Sequence, residues 1–407
     1  MRYDVVVCGA GPAGMCCALF LAKGGRKVLL LEKGKFPRDK VCADNKTWKC
    51  LDIVKELGLW KEFEKLPKKE IRGMLSASPS GHQITTPLLP SDVAQKGTWY
   101  NVRRLLFDDM LASACRKSAN IEFLENNEVL GPVLEGETVV GARFYSSKRK
   151  GEVRQAFAKV VVGADGSQSA IAKELGVGPV LKGRFAMNAR AYYKGVAGAK
   201  DLCELYYLKG ICPGYFWIFP VDGGMCNVGI GMRVEDLERQ GISLQGKMDG
   251  IISSEKFSGR FARAKKVSET REWGVSVLPG KRKWSGNGFV LVGDAGTFAM
   301  TFSGEGVGPG MRSGKVAAHA ILRAFARNDF SARSLSDFDD SMWEILRPEV
   351  EGFKWLEFLI LHERVFDWVW RRAAGKKELI ELSSKMQNDY SASREFVSLR
   401  TLLRLLF

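Results

Sequence analysis

The hydrophobic pattern begins with a short apolar run, YDVVVC (3–8), and repeats it one helix length later as KVLLLEK (27–33). Between the two, Gly9-Ala10-Gly11-Pro12-Ala13-Gly14 opens an alanine-rich stretch that reads as helical to about Lys23. The pattern therefore predicts strand, glycine turn, helix, strand. Two further apolar strands end on an acid–glycine pair: AKVVVGADGSQSA (158–170) and GFVLVGDAG (288–296). After the second, TFSGEGVGPGMRSGKVAAHAILRAFA (301–326) reads as a glycine-rich loop feeding a long helix. Residues 73–100 and 181–284 alternate apolar and polar positions between turn signals (PSG, DGG), the signature of a sheet. In PGYFWIFP (213–220), period-2 geometry puts Tyr215 and Trp217 on one face and Phe216 on the other. From 341 onward the spacing turns helical. GFKWLEFLILHERVFDWVWRR (352–372) reads as a helix with large aromatic positions flanked by basic residues.

The N-terminal turn carries the first chemistry. Gly9 permits a tight turn, Gly11 lets the backbone approach a pyrophosphate, and Gly14 allows close helix–strand packing. The helix N-terminus presents free N–H groups and a positive dipole end to the phosphates. Glu32, at the end of the second strand, is placed to accept hydrogen bonds from an adenosine ribose. A dinucleotide is expected here, and this turn alone leaves FAD and NAD open. The later strand ends, with Asp165-Gly166 and Gly293-Asp294, lie where ligands collect in open α/β sheets.

Taken in order, these segments resemble the FAD-binding fingerprints of the p-hydroxybenzoate-hydroxylase-like flavoproteins, over residues 1 to about 330. The resemblance implies FAD, with Asp294 at the ribityl chain. It also implies that the loop Ser303–Val307, including Gly304 and Gly306, aims a helix N-terminus at the flavin. Four further stretches resemble the geranylgeranyl reductase family: FPRDKVCAD (36–44), NVRRLLFDDML (101–111), PGYFWIFP with CNVGIGM (226–232), and the tail SLRTLLRLLF (398–407). By that resemblance Val41, Cys42, Asp44, Arg104 and Val129 join Gly9, Gly11, Ala13, Gly14, Glu32, Asp165, Gly166, Gly293, Asp294, Gly304, Gly306 and Val307 as cofactor-binding positions. Tyr215, Trp217 and Phe219 would line a cavity for a prenyl chain, and Cys42 is the candidate for proton supply beside the flavin. Two departures stand out. Ala43 replaces the family's glycine, and NKTWKC (45–50) is bulkier than the small residues usual there.

The expectation is an α/β (α+β) fold. It comprises a Rossmann-like FAD-binding domain of the p-hydroxybenzoate-hydroxylase type (1–72, 101–180 and 285–340), an antiparallel β-sheet substrate domain (73–100 and 181–284), and a C-terminal helical region (341–407). The expected activity is FAD-dependent reduction of prenyl carbon–carbon double bonds on a lipid, phytol-type or quinone substrate. A flavin monooxygenase or halogenase is the alternative, though halogenases carry WxWxIP where this chain has Tyr215 and Phe219. A flavin-bound electron carrier or membrane adaptor without its own substrate is the reading from another class. No second dinucleotide fingerprint marks the electron donor, so NADPH and a reduced carrier such as ferredoxin both stand.

Composition narrows the surroundings. The formal charge of +16 on 407 residues points to an anionic membrane surface or an anionic substrate. No Lys/Arg run with interleaved aromatics marks a nucleic-acid footprint. Nine cysteines without a CxxC pair, and three histidines, argue against a metal site or a disulfide framework and for a reducing compartment. No signal peptide is expected, and the apolar runs are too short to span a bilayer. A cytoplasmic monomer, peripheral on a membrane, is the expectation.

Overall fold

The computed structural model describes residues 2–147, 151–178, 183–301 and 303–388. Its first layer is a six-stranded sheet in the order Ser285–Gly286, Phe289–Leu291, Val160–Gly163, Val5–Cys8, Val28–Glu32, Ile121–Glu125. All neighbours pair in parallel except the first two. Val5–Cys8 and Val160–Gly163 are buried along their whole length, as strands covered on both faces must be. Helices Pro12–Lys23 and Val307–Arg327 cover one face, packed against each other. Gly314 permits that approach, since a Cβ there would fall 2.2 Å from the Ala13 carbonyl oxygen.

A second, larger sheet holds Phe185–Lys194, Met225–Arg233, Tyr215–Pro220, Leu202–Tyr206, Gly73–Ala77 and Gln83–Pro87 as successive neighbours. Pairing is antiparallel apart from Leu202–Tyr206 with Gly73–Ala77. The strand Tyr215–Pro220 is buried on both sides, as its aromatic density predicted. Phe216 and Ile218 enter a core with Met248 and Phe257, while Tyr215, Trp217 and Phe219 face Phe353, Leu356 and Ile360.

The C-terminal segment forms Asp337–Leu361, Glu363–Ala373 and Lys377–Asn388. The stretch 352–372 is thus two helices and not one, broken at His362 (φ −110°, ψ 76°). These helices roof the aromatic face. Asp367 accepts from the Ser78 and Ser80 hydroxyls and, at 3.0 Å, from the Ser80 amide. The Trp370 indole N–H donates to Ser76 Oγ at 3.2 Å. The tail 398–407 lies outside the described residues.

Candidate active site

One cavity of about 800 Å³ runs from the glycine turn to the aromatic strand and the roofing helices, within the range of small-molecule sites. At its first end the backbone forms a cradle. Gly9 has φ +107°, and a Cβ there would meet the Ala164 carbonyl oxygen at 2.4 Å. A Cβ on Gly14 would sit 2.0 Å from the Gly9 oxygen, whereas nothing lies within 4 Å of one on Gly11. The turn is closed on the protein side and open toward the cavity, as a backbone that meets a pyrophosphate requires. Two helices of 12 and 21 residues begin there, at Pro12 and Val307. Both point their N–H-bearing ends at the same space, so the residues present fit an anionic dinucleotide.

The charged residues around this cradle are tied to one another. Glu32 accepts from the amides of Ala10 (3.1 Å) and Gly34 (2.9 Å), and from Arg38 Nε and Nη2 at 3.2 and 3.1 Å. Its carboxylate therefore also shapes the turn and aims Arg38, a role the sequence did not reveal. Arg104 forks onto Asp108 at 2.6 and 2.7 Å. Burial would lower its pKa, but that ion pair raises it further. Asp165 lines the cavity, yet its oxygens cap the short helix after it, accepting from Ser169 Oγ (2.5 Å) and the Ala170 amide (2.8 Å). Burial pushes Asp294 up, while Lys40 and Arg104 pull it back. The Lys40 ammonium lies over the Trp273 ring, 3.1 Å from its centroid. Burial brings its pKa down to about 7, with Asp294 opposing and Arg104, Arg38 and Lys33 assisting.

Of the sequence-predicted cofactor residues, all but Gly14 and Asp44 line the cavity. Gly14 serves helix–strand packing, as expected. Asp44, expected among the cofactor-binding positions, is fully buried and does not line the cavity; with φ +70° it acts as a staple. It accepts from the Arg104 amide (2.9 Å), the Tyr192 hydroxyl (2.7 Å) and Asn227 Nδ2 (2.7 Å). Asn227 also donates to the Cys42 carbonyl at 2.6 Å and accepts from the Trp217 indole at 2.8 Å. One buried amide thus joins the Cys42 turn to the aromatic strand. Asn227 stands in the CNVGIGM stretch, but only the fold shows what it touches. Cys42 itself is half-buried on the cavity wall, its sulfur accepting from the Asp44 amide at 3.4 Å.

The aromatic strand forms the second half of the cavity. The Trp217 ring lies on two glycines of the neighbouring strand: a Cβ on Gly229 would be 2.2 Å from it, and one on Gly231 3.9 Å. The glycines of NVGIG therefore make room for the indole. The Tyr215 hydroxyl donates to the Ser303 carbonyl at 3.1 Å and would be 2.4 Å from a Cβ on Gly304 (φ +64°), so it also holds the cofactor loop. Burial, with Cys42 adding, pushes the Tyr215 phenol up to about 12, which keeps it a donor near neutrality. Phe219, Ile84, Trp99, Phe353, Leu356 and Ile360 complete an apolar chamber.

Residues 2–195 match the model of the FAD-binding domain family, and residues 186–263 match that of the geranylgeranyl reductase catalytic domain. A digeranylgeranylglycerophospholipid reductase of Methanosarcina mazei is 30% identical over 84% of this chain and 80% of its own length. That of Methanosarcina acetivorans is 32% identical over 84% and 80%. A solved geranylgeranyl bacteriochlorophyll reductase-like protein of Thermoplasma acidophilum superposes with a TM-score of 0.83, covering 97% of this chain and 98% of that one at 23% identity. A flavin-dependent brominase superposes with a TM-score of 0.76, covering 99% and 98% at 22% identity, and so shares the fold. With the flavin cradle opening into the aromatic chamber, these matches identify the chain as an FAD-dependent member of the geranylgeranyl reductase family.

Proposed function

We propose that the protein saturates carbon–carbon double bonds of a prenyl chain carried by a polar lipid. One observation carries this reading: the cofactor cradle opens without a partition into the chamber of Tyr215, Trp217, Phe219, Phe353, Leu356 and Ile360. A long apolar chain fits such a chamber, and no charged side chain stands on its aromatic floor. An isolated trisubstituted alkene has no carbonyl to polarise it, so holding the chain in register supplies much of the rate.

Held by the Gly9–Ala13 turn, Asp294 and the loop Ser303–Val307, reduced FAD would supply a hydride to one alkene carbon. The chain's own residues do the rest. The aromatic strand and the roofing helices exclude water and orient the substrate. Cys42, on the wall between cradle and chamber, offers the proton to the other carbon, and the product gains two hydrogens. The relatives' substrates favour a prenylated glycerolipid over a phytol-type or quinone chain. NADPH or a reduced ferredoxin-type carrier would reduce the cofactor.

The roof bears on access. At the His362 elbow Phe358, Leu361 and Val365 are exposed, and Leu361 also lines the cavity. Lys354, Arg364, Arg371 and Arg372 lie on the same two helices. An apolar elbow flanked by basic residues suits contact with an anionic lipid surface. Among the described residues no helix is long and apolar enough to cross a membrane.

The test is anaerobic mixing of the reduced protein with a geranylgeranyl glycerolipid, followed by mass spectrometry. Flavin reoxidation with products two hydrogens heavier per reduced bond is expected, and Cys42→Ser should slow it. An oxygen-dependent product from an aromatic substrate, with prenyl lipids inert, would return the chain to the monooxygenase or halogenase reading.

A further inference from the structure

A cluster of buried charge lies where three elements meet: the helix Trp48–Glu56, the cofactor loop before Val307, and the roofing helix Asp337–Leu361. Lys49 is at its centre, with its side chain 1% exposed. Its ammonium is 3.1 Å from Glu305 Oε2, and 3.0 and 2.8 Å from the two carboxylate oxygens of Glu349. The Thr47 hydroxyl donates to Glu305 Oε1 at 2.8 Å. Glu305 lines the cofactor end of the cavity. Its carboxylate folds over the start of the long helix, since a Cβ on Gly308 would fall 2.5 Å from Oε1.

Two carboxylates around one ammonium are an expensive way to fill buried space. Well-packed apolar side chains of the same volume would serve stability as well or better. What such a cluster provides is register: each partner is tolerated only while the others stay in place. Here the three partners belong to the helix Trp48–Glu56, the cofactor loop and the roof. Glu349 is four residues from Phe353, about 6 Å along a helix, and Phe353, Leu356 and Ile360 form the chamber's upper wall. Other ties hold this roof more loosely. The Arg184–Glu357 ion pair (2.7 Å) has both side chains 30% exposed, where such pairs add little.

We propose that Lys49 is a positioning residue for prenyl reduction. By clasping Glu305 and Glu349 it fixes the roof against the cofactor loop, and so selects which double bond of a long chain reaches the reacting position. This rests on the prenyl-reductase reading above. It adds to that reading a determinant of regiochemistry and a coupling between cofactor site and roof. Because coupling is reciprocal, cofactor binding must also steady the roof.

The experiment compares the native protein with Lys49→Met/Glu349→Leu, which replaces the buried pair whole and leaves Glu305, 15% exposed, with the Thr47 hydroxyl, and with Lys49→Arg, which keeps a cation between the two carboxylates. Limited turnover on a geranylgeranyl glycerolipid is analysed by mass spectrometry for which double bond is reduced first. The apolar pair is expected to shift the ratio of first-reduced positions roughly tenfold, or about 1.4 kcal/mol, and Lys49→Arg to stay close to the native ratio. Independently of turnover, hydrogen exchange over 349–361 is measured with and without FAD. FAD should slow exchange there in the native protein and not in the apolar pair. Equal protection in both, or an unchanged product ratio from a folded, flavin-loaded apolar pair, overturns the proposal. If the native protein reduces no prenyl chain, the function fails, and the exchange experiment still judges the clasp.

Discussion

Asn227 is the residue whose removal tests the site's construction most directly. It is fully buried and bridges Trp217 Nε1 on one side to Asp44 Oδ2 and the Cys42 carbonyl on the other. Asn227→Ala leaves the indole N–H buried without an acceptor, a loss of about 1–3 kcal/mol. Asp44 keeps the Arg104 amide and the Tyr192 hydroxyl but loses a donor to its charge, worth roughly 1.5–3 kcal/mol. The two losses share one side chain and are not additive, so we expect about 3 kcal/mol in total. For a 407-residue chain unfolding as one unit, ~2.1 cal/mol/K per residue converts this to a fall of about 3–4 °C in Tm.

The functional effect should be larger than the stability effect suggests. Freed from Asn227, the indole and the Cys42 turn lose their common reference. A misplacement of about 1 Å can cost on the order of 10²-fold in rate. FAD affinity should fall less than turnover, because Asn227 supports the Cys42 turn but does not touch the Gly9–Gly14 turn. The assay is a double-mutant cycle of Asn227→Ala with Trp217→Phe, which keeps a ring but removes the N–H. The two changes should couple by about 1–2 kcal/mol in denaturant unfolding. Additivity within 0.5 kcal/mol, or an Asn227→Ala enzyme with native turnover, would refute the bridge.

Three further outcomes are expected. Trp217→Ala should reduce prenyl turnover by about two orders of magnitude while the protein stays yellow; retained turnover would mean the ring does not touch substrate. Lys40 in water titrates near 10.4, and burial in the fold brings it to about 7. Between those values the unfolded chain holds the proton and the folded chain does not, so its contribution to stability improves as pH rises. In flavin-free protein, Lys40→Met should therefore stabilise at pH 6 and lose that advantage by pH 10; a pH-independent difference in denaturation midpoint would contradict this. Sedimentation with anionic but not neutral vesicles, reversed by salt and weakened by Phe358→Ser/Leu361→Ser, is expected of the elbow; indifference to both vesicle types would leave its exposed side chains without that role.

What the sequence made legible follows from how local each constraint is. Gly9 and Gly14 are fixed by contacts within one strand–turn–helix unit and with the strand beside it, so a motif of six residues is enough to read them. The two-faced aromatic strand follows from period-2 geometry alone. The break at His362 was not legible. Neither proline nor glycine marks it, and both helices turn apolar residues to the same chamber, so the hydrophobic spacing runs on through the bend. Glu32 and Asp44 have the same sequence signature, an acid near a turn, yet Glu32 lines the cavity and Asp44 is buried behind it. Asn227 ties Trp217, ten positions away, to Asp44, 183 away, and Lys49 reaches Glu349, 300 away; no local pattern carries the longer distances.

The burial of the strand Tyr215–Pro220 on both sides also decides which wall of the chamber can respond to a chain. Its lower face is closed by Phe216 and Ile218 against Phe257 and Met248. Its upper face carries Trp217 pressed onto Gly229, with ladder pairing to both neighbouring strands. Moving this floor would break two ladders and expose a second core. The roof has no ladder to the sheet: Phe353, Leu356, Ile360, Phe366 and Trp370 pack on the aromatic face, and the polar ties are Asp367 to Ser78 and Ser80, Trp370 to Ser76, Arg184 to Glu357, and the Lys49 cluster. Packed side chains and single polar ties can shift register without opening a sheet, whereas a strand in two ladders cannot. The aromatic strand is therefore the fixed reference of the site. The C-terminal helices are the part whose position must be set, which is why a buried lysine at their junction with the cofactor loop has a functional consequence.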